Sequence, residues 1–233
     1  MLRKYLGTLI LIACILVASF TLFACDSDDE DMGELPVLMM GDTWTTNGSM
    51  AGSDVTVILT VTGDEVVEGK AAYVLEGTIN PALEGIVDTI VMKLDKSSML
   101  PLEMQMMGES DGDPFEITTT SSYDITGAPK YPKELGNQTT VIATQTTVTK
   151  TLGQLETEMT ETETTTSVYK VEGIEDITVP AGTFTCFKEV EYDEAGVVLN
   201  TDWQSAATKH FNVKSIDGET GDVMELVSYS VIP

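Results

Sequence analysis

From residue 40 onward, apolar residues alternate with polar residues in steps of two, and helical periodicity is almost absent. The apolar members fall into three runs: Val55, Val57, Leu59 and Val61; Ile90, Met92 and Leu94; and Leu100, Leu102, Met104 and Met106. Period-two patterning rich in β-branched residues is typical of half-buried antiparallel strands. The sequence therefore predicts an all-β fold of long antiparallel strands that form a curved sheet, a half-barrel or an open barrel.

Turn-forming residues separate these runs at the spacing expected of hairpins. They occur at residues 63–64, 68–70, 95–98, 180–182 and 194–196. Glycine permits positive φ, proline fixes φ, and aspartate bonds its own backbone, so such clusters favour turns. We expect consecutive strands to pair as hairpins.

The body of the chain can be aligned with itself, which indicates a duplication. The aligned pairs are 112–117 with 221–226, Leu102 with Phe211, Met104 with Val213, 61–63 with 171–173, and 41–45 with 136–140. The pattern predicts two β units, residues 41–126 and 136–233, with a connector at 127–135, in one continuous domain.

The second unit carries extra length in a threonine-rich stretch over residues 139–166. Its glutamates leave neither strand face apolar: Glu156, Glu158, Glu161 and Glu163. Because threonine favours strands, we interpret the stretch as a hairpin that projects into solvent and turns at residues 153–154. A glycosylated stalk is the alternative interpretation.

The first 40 residues have a different composition. Arg3 and Lys4 precede an apolar run that ends at Ala24, and an acidic run follows Cys25. The segment 22–25, Leu-Phe-Ala-Cys, resembles the lipobox of bacterial lipoproteins, in which the cysteine thiol receives diacylglycerol. The resemblance implies a signal peptide at 1–24, cleavage between Ala24 and Cys25, a lipid on Cys25 and an acidic tether at 25–40. An uncleaved anchor is the alternative, because about 20 apolar residues span a bilayer.

The acidic residues after Cys25 leave the location within the cell envelope open. Asp26 resembles the signal that retains lipoproteins in the inner membrane, facing the periplasm. The run 27–30 resembles the tether that sends other lipoproteins to the cell surface, and a solvated linker would have the same composition.

Charge and cysteine content limit the partners of the chain. With 12 basic and 38 acidic residues the net charge is −26, so nucleic acid is not an expected partner and the membrane is expected only through the N-terminal lipid. Cys14 leaves with the signal peptide and Cys25 carries lipid. Cys186 is then alone, which predicts no disulfide and a small core residue.

Residue patterns typical of catalysis are scarce. His210 is the single histidine, and its strand-like surroundings predict a surface residue rather than a general base. We find no phosphate loop, nucleophile elbow or Cys/His zinc cluster. The sequence therefore predicts a protein that is not an enzyme and has no cofactor.

Two kinds of binding site are candidates. Asp111, Asp113 and Glu116 offer alternating oxygen ligands, but their spacing departs from the EF-hand pattern, so they are weak calcium candidates and no metal is expected. The apolar face formed by Leu100, Leu102, Met104 and Met106 would suit a lipid-like ligand, because methionine-rich surfaces adapt to different shapes. Plain core is the alternative for this face.

A wider pattern of residues resembles a family of bacterial envelope proteins. It consists of Gly41 and Trp44, the stretch Val-Pro-Ala-Gly-Thr-Phe at 179–184, Cys186, Lys188 and Trp203. Many members are lipoproteins, similar in outline to LolA/LolB-type half-barrels that shelter acyl chains. The resemblance implies an envelope lipoprotein with a non-catalytic binding or scaffolding role that shelters a hydrophobic or lipid-like ligand. The alternative is a surface-exposed structural or adhesive lipoprotein assisted by calcium.

Overall fold

The computed structural model of the protein describes residues 35–50, 52–83, 87–110, 113–127, 134–151 and 157–233. Residues Ala206–Thr208 form a one-turn 3₁₀ helix. The strands are β1 (Thr43–Met50), β2 (Ser53–Val67), β3 (Lys70–Leu83), β4 (Val87–Asp95), β5 (Pro101–Ser110), β6 (Asp113–Gly127), β7 (Gln138–Thr151), β8 (Thr157–Val179), β9 (Gly182–Tyr192), β10 (Val198–Gln204), β11 (Asn212–Asp217) and β12 (Val223–Ser230).

Each strand pairs antiparallel with the next along the chain, and β12 pairs with β1 to close the barrel. The predicted all-β fold of long antiparallel strands is confirmed, and the curved sheet closes completely. The closing seam runs from Thr43 opposite Ser230 to Gly48 opposite Met224. A Cβ atom at Gly48 would lie 1.8 Å from the carbonyl oxygen of Val223, so only glycine permits this approach.

Because the barrel has an even number of strands, the chain enters and leaves it at the same end. We call this the terminal end; it also holds the connections that follow β2, β4, β6, β8 and β10. The opposite end, with the connections that follow the odd-numbered strands, is the distal end.

A large apolar core fills much of the barrel interior and draws mainly on β1 to β6, β11 and β12. Its largest side chains are less than 2% exposed: Trp44, Leu59, Leu75, Ile90, Met92 and Leu94. Four of these residues, Leu59, Ile90, Met92 and Leu94, occupy apolar positions of the period-two pattern. Burial of the whole set supplies the main driving force for folding.

One predicted turn is wrong. Residues 63–64 lie inside β2, which continues to Val67 and pairs with β3 throughout. The pairing shifts register between Val61 and Gly63, which is a β-bulge: an extra residue bends the strand without ending it. Glycine and aspartate suit a bulge as well as a turn, and the sequence pattern does not separate the two.

The structure supplies contacts relevant to the predicted duplication. Each predicted unit contains six strands. The bulge after Val61 is repeated after Val171. The N–H of Gly41 donates to the carbonyl of Val61, and the N–H of Gly136 donates to that of Val171. These repeated contacts support the duplication, and the division into units stays a prediction.

The threonine-rich stretch forms β7 and most of the first half of β8. Pairing runs without a register shift from Gln138 opposite Lys170 to Thr151 opposite Thr157. Threonine hydroxyls meet across the pair, with 3.3 Å between Oγ1 of Thr144 and Thr164. The predicted turn at 153–154 lies outside the described residues, and the stalk interpretation stays untested.

Within the part of the chain that the structure describes, no helix has the length and apolar character needed to cross a membrane.

Candidate functional site

The predicted apolar ligand face is covered by the protein's own side chains. Met104 and Met106 lie in the main core. Leu102 packs with Val67 and Ala72, and Leu100 lies in a separate cluster. All four residues are at most 3% exposed. The face therefore belongs to the packed interior, and a role for it in ligand binding stays a prediction.

The other predicted sites fall partly outside the described residues, which include neither Ala24, Cys25 nor Asp111. Asp113 pairs with Ser110 at the start of β6, and Glu116 accepts a 3.0 Å hydrogen bond from the hydroxyl of Thr118. No group of three or more His, Cys, Asp or Glu side chains among the described residues is arranged to hold a metal ion. The expectation of no metal and the weak calcium alternative at these residues both stay untested.

Cys186 and His210 are both buried. Burial, with smaller effects of Asp176 and Glu175, raises the pKa of the Cys186 thiol to about 12, so the thiol stays protonated at neutral pH. His210 is 9% exposed, and the expectation of a surface histidine is wrong. The connection after β10 folds inward there, with His210 in the left-handed region (φ 76°) and its backbone N–H bonded to the carbonyl of Ser205.

A buried carboxylate joins both ends of the barrel chain at the terminal end. One oxygen of Asp42 accepts a 2.7 Å hydrogen bond from the backbone N–H of Ile232. The other accepts bonds from the N–H of Met39, at 2.7 Å, and the ammonium of Lys209, at 3.0 Å. Asp42 itself is fully buried. This side chain ties the N-terminal lead-in, the C-terminal tail and the connection after β10 together.

Trp44 also contacts the connection after β10, at the same end of the barrel. Its indole N–H donates to the carbonyl of Thr208 at 2.8 Å, and its ring stacks on Phe211 with 5.0 Å between ring centroids. The Gly-x-x-Trp part of the pattern thus closes the barrel at the terminal end. These contacts stabilise the fold and leave no reactive group exposed on Trp44.

Within the stretch 179–184, residues 180–181 form the two-residue turn between β8 and β9. Gly182, the first residue of β9, has a positive φ of 140°. The turn docks on β12 through the N–H of Ala181, which donates to the carbonyl of Leu226, and through an edge-to-face contact between Phe184 and Tyr229. The indole of Trp203 on β10 donates to Glu175 of β8 at 2.5 Å. This motif therefore packs one hairpin against neighbouring strands.

A polar network is buried on β8 to β11. The hydroxyl of Tyr169 donates to Glu191 at 3.0 Å. Asp202 accepts hydrogen bonds from the amide groups of Asn200, at 2.9 Å, and Asn212, at 2.7 Å. Further buried polar side chains on these strands and their connections are Glu189, Gln204, Ser205, His210 and Ser215. The inward positions of β10 carry polar residues, Asn200, Asp202 and Gln204, and these residues belong to the network.

The hydroxyl of Tyr169 in this network keeps its proton at neutral pH. Burial, and then the charge and hydrogen bond of Glu191, raises the pKa of Tyr169 well above its ordinary value. Glu189 lies opposite Asp202 across β9 and β10. Buried carboxylates are costly unless hydrogen-bonded, and the tyrosine and amide donors offset part of that cost.

Sequence reasoning missed this network because it assigned one face of β9 to the core. Phe184 and Cys186 are indeed buried, but Phe187, Glu189 and Glu191, which lie on the opposite face of β9, are buried as well. The signal that could have found the network is the spacing Asn200, Asp202, Gln204, since three polar residues at steps of two mark a polar strand face.

A cavity of about 190 Å³ lies at the terminal end, lined by Lys70, Ala71, Asp95, Lys96 and Ser97. Both lysines already contact carboxylates: Lys70 lies 3.8 Å from Asp95, and Lys96 lies 2.6 Å from Asp64. These ion pairs reduce the attraction of the cavity for an anion.

The distal end carries a strand edge that we call the acidic edge, residues 157–167 of β8. β7 pairs with this segment along its full length. On the other side, β9 begins to pair only at Val168, and no described strand pairs with residues 157–167 there. Glu158, Glu161 and Glu163 are exposed on this segment. An open edge offers main-chain donors and acceptors to another strand.

Comparison with known proteins places these features in context. The model of the DUF3108-like family matches residues 87–209, a segment that includes the acidic edge and much of the polar network. Among curated proteins, none matches this chain at a significant level.

Two solved structures are similar to this chain at low sequence identity. One structure, from Bacteroides fragilis, is described as an exported protein with a YmcC-like fold. Its sequence is 11% identical to this chain, the alignment covers 85% of this chain and 99% of that chain, and the TM-score is 0.38. The other, described as a lipoprotein from Parabacteroides distasonis, has 12% identity, coverage of 86% and 100%, and a TM-score of 0.35. The LolA/LolB likeness stays a prediction.

Proposed function

This chain belongs to the DUF3108-like family, and on that premise we propose that it is a lipid-anchored protein of the bacterial cell envelope with a non-catalytic scaffolding role. In this role the barrel is a solid body, tethered at its terminal end, that presents its distal end to partners.

The observation that carries the proposal is the burial of the inward-facing side chains in the part of the barrel that the structure describes. A barrel that shelters a small molecule keeps a concave, largely apolar cavity for it. Here the Met/Leu face and the polar network are both buried beneath neighbouring side chains. The packing therefore supports a scaffold in preference to a carrier of a lipid-like ligand.

The position of the two ends of the barrel, before β1 and after β12, supports the orientation. Asp42 holds Met39 and Ile232 at the terminal end. The residues between Cys25 and Leu35, fully extended, reach on the order of 30 Å. A lipid on Cys25 would therefore hold the terminal end near the membrane and turn the distal end, with its acidic edge, away from it.

The experiment that tests the anchor uses an alkyne-tagged fatty acid fed to cells that express the full-length protein. We expect labelling and the mature size in the wild type, in Cys14→Ser and in Cys186→Ser, and loss of both in Cys25→Ser, because the chain is cut only after its cysteine has received lipid. A wild type that carries no label and keeps residues 1–24 would instead indicate the uncleaved anchor. Undiminished labelling of Cys25→Ser would contradict lipid attachment at this residue.

A further inference from the structure

We propose that the acidic edge is a docking site for an extended segment of another protein that carries basic residues at alternate positions. The segment would add to the sheet as a strand beside β8. This inference deepens the proposed scaffolding role, because it names the kind of partner that the distal end would hold, but it does not depend on the lipid anchor.

The pairing pattern of β8 provides the docking edge. The strand is 23 residues long, and β9 covers only the half that starts at Val168. Within the described chain, residues 157–167 are thus bonded to β7 alone. Along such an edge, alternate N–H and C=O groups point outward, which is the arrangement that β-augmentation uses.

The edge belongs to a paired platform rather than to a loose hairpin. β7 is itself paired with β6 from Phe115 opposite Thr151 to Gly127 opposite Thr139. Threonine hydroxyls bridge β7 and β8, with 3.2 Å between Oγ1 of Thr146 and Thr162. A strand that is already held extended loses little conformational entropy when a partner binds.

The side chains specify the chemistry of the partner. Glu161 and Glu163 lie on one face of the strand, and the exposed threonines Thr160, Thr162 and Thr164 lie on the other. Opposite charges stabilise directly paired cross-strand residues, and threonine pairs well with threonine or serine. The complementary strand therefore has lysine or arginine opposite the glutamates and small hydroxyl residues between them.

A second copy of this chain is a poor occupant of the same edge. Two acidic edges paired with each other would bring their glutamates together, and like charges on paired strands are destabilising. The glutamates also discourage unwanted edge-to-edge pairing of the free protein. A basic segment would satisfy both the main chain and the carboxylates.

Binding of two peptides to the full-length protein in detergent tests the proposal. The first peptide alternates lysine and threonine and is about as long as the edge. The second has the same side chains but is N-methylated at every residue, so it keeps its charge and cannot donate main-chain hydrogen bonds. We expect the methylated peptide to bind at least about tenfold more weakly, because several main-chain hydrogen bonds to the edge are lost.

Hydrogen–deuterium exchange locates the bound peptide. With the first peptide, amides within residues 157–167 are expected to exchange more slowly. The double variant Glu161→Gln/Glu163→Gln should weaken binding, whereas the control Glu109→Gln/Glu194→Gln, at two exposed distal positions, should not. Equal binding of the two peptides, no binding, or slower exchange only elsewhere would overturn the proposal. So would a peptide-free dimer whose protected amides lie in residues 157–167.

Discussion

At the scale of single residues, buried charge is matched to donors at defined atoms. Asp42 is fully buried, and its two oxygens accept bonds from Met39, Lys209 and Ile232. A carboxylate in this position is tolerated because its neighbours replace the lost water. The same residue holds three separate chain segments, so its removal is expected to loosen the whole terminal end.

Replacing Asp42 by alanine should lower the free energy of unfolding by about 3–5 kcal/mol, since Lys209 and two backbone N–H groups lose their acceptor. Asp42→Asn should cost less, because an amide oxygen still accepts hydrogen bonds. Urea denaturation measures both. The exposed Asp88→Ala is the control and should change stability by no more than about 0.5 kcal/mol. Equal stability of Asp42→Ala and the wild type would contradict this account of the terminal end.

The raised pKa of the Cys186 thiol predicts that the folded chain loses stability at alkaline pH. The thiol pKa is about 12 in the folded chain against 9.0 as the ordinary value. Between these values the unfolded chain has lost the proton that the folded chain keeps, so stability falls as pH rises, by about 1.4 kcal/mol per pH unit when the unfolded thiol is ionised.

The matched comparison is Cys186→Ala, in which that contribution disappears while ionisation of the tyrosines remains. We expect the stability difference between wild type and variant, measured by urea denaturation at a series of pH values, to narrow as pH rises above 9. A difference that stays constant from pH 8 to pH 11 would show that the thiol ionises equally in the folded and unfolded chains.

At the scale of secondary structure elements, the seam between β1 and β12 closes the barrel. Gly48→Ala would place its Cβ 1.8 Å from the carbonyl oxygen of Val223, so the two strands must separate. Overpacking of this kind costs about 1–3 kcal/mol or more. Thermal unfolding should show a clear decrease in Tm.

Gly63→Ala is the matched control for the seam, because the Cβ atom of an alanine there would have no neighbouring atom within 4 Å. It removes one glycine from a strand, as Gly48→Ala does, and should leave Tm nearly unchanged. If Gly48→Ala and Gly63→Ala unfold at the same temperature, β1 and β12 are not packed as closely as described.

The strands are the part of the fold that could be predicted from the sequence. Alternation at 55–61 and 90–94 identified β2 and β4 because those strands bury one apolar face. It failed at β9, where Glu189 and Glu191 are buried, because hydrogen-bonded partners on other strands decide whether a carboxylate can be interior. The open edge of β8 could not be predicted from the sequence either, because it depends on the residue at which β9 begins to pair with β8.

At the scale of the whole molecule, closure of the barrel was not predictable from local patterns. The first and last strands are far apart in sequence, and the pairing of Thr43 with Ser230 depends on the summed twist of twelve strands. The apolar face at Leu102 and Met104 was visible in the sequence, but whether it faced a ligand or a packed core depended on that closure.

The topology predicts that the chain tolerates a circular permutation. The start of β1 and the end of β12 both lie at the terminal end, where Asp42 bonds to Met39 and Ile232, so a short linker can join Pro233 to the N-terminal lead-in at Leu35. New termini placed between Gly127 and Glu134, at the boundary of the two predicted units, should give a protein that unfolds cooperatively, as followed by the fluorescence of buried Trp44.

The control permutant opens the chain between Pro180 and Ala181 instead. Ala181 bonds to Leu226 there, and the turn anchors one hairpin on β12, so this permutant should be less stable. Failure of the first permutant to fold, with the second folding normally, would contradict the division into six-stranded units.

We propose a barrel whose described inward-facing side chains are packed against one another and that a lipid on Cys25 holds to the membrane. Native mass spectrometry of the protein released gently from detergent tests this claim most directly. The predicted mass is that of a chain beginning at Cys25 with covalently attached acyl groups and no other molecule. A non-covalent lipid that stays bound, or the mass of the unprocessed chain from Met1 to Pro233, would contradict it.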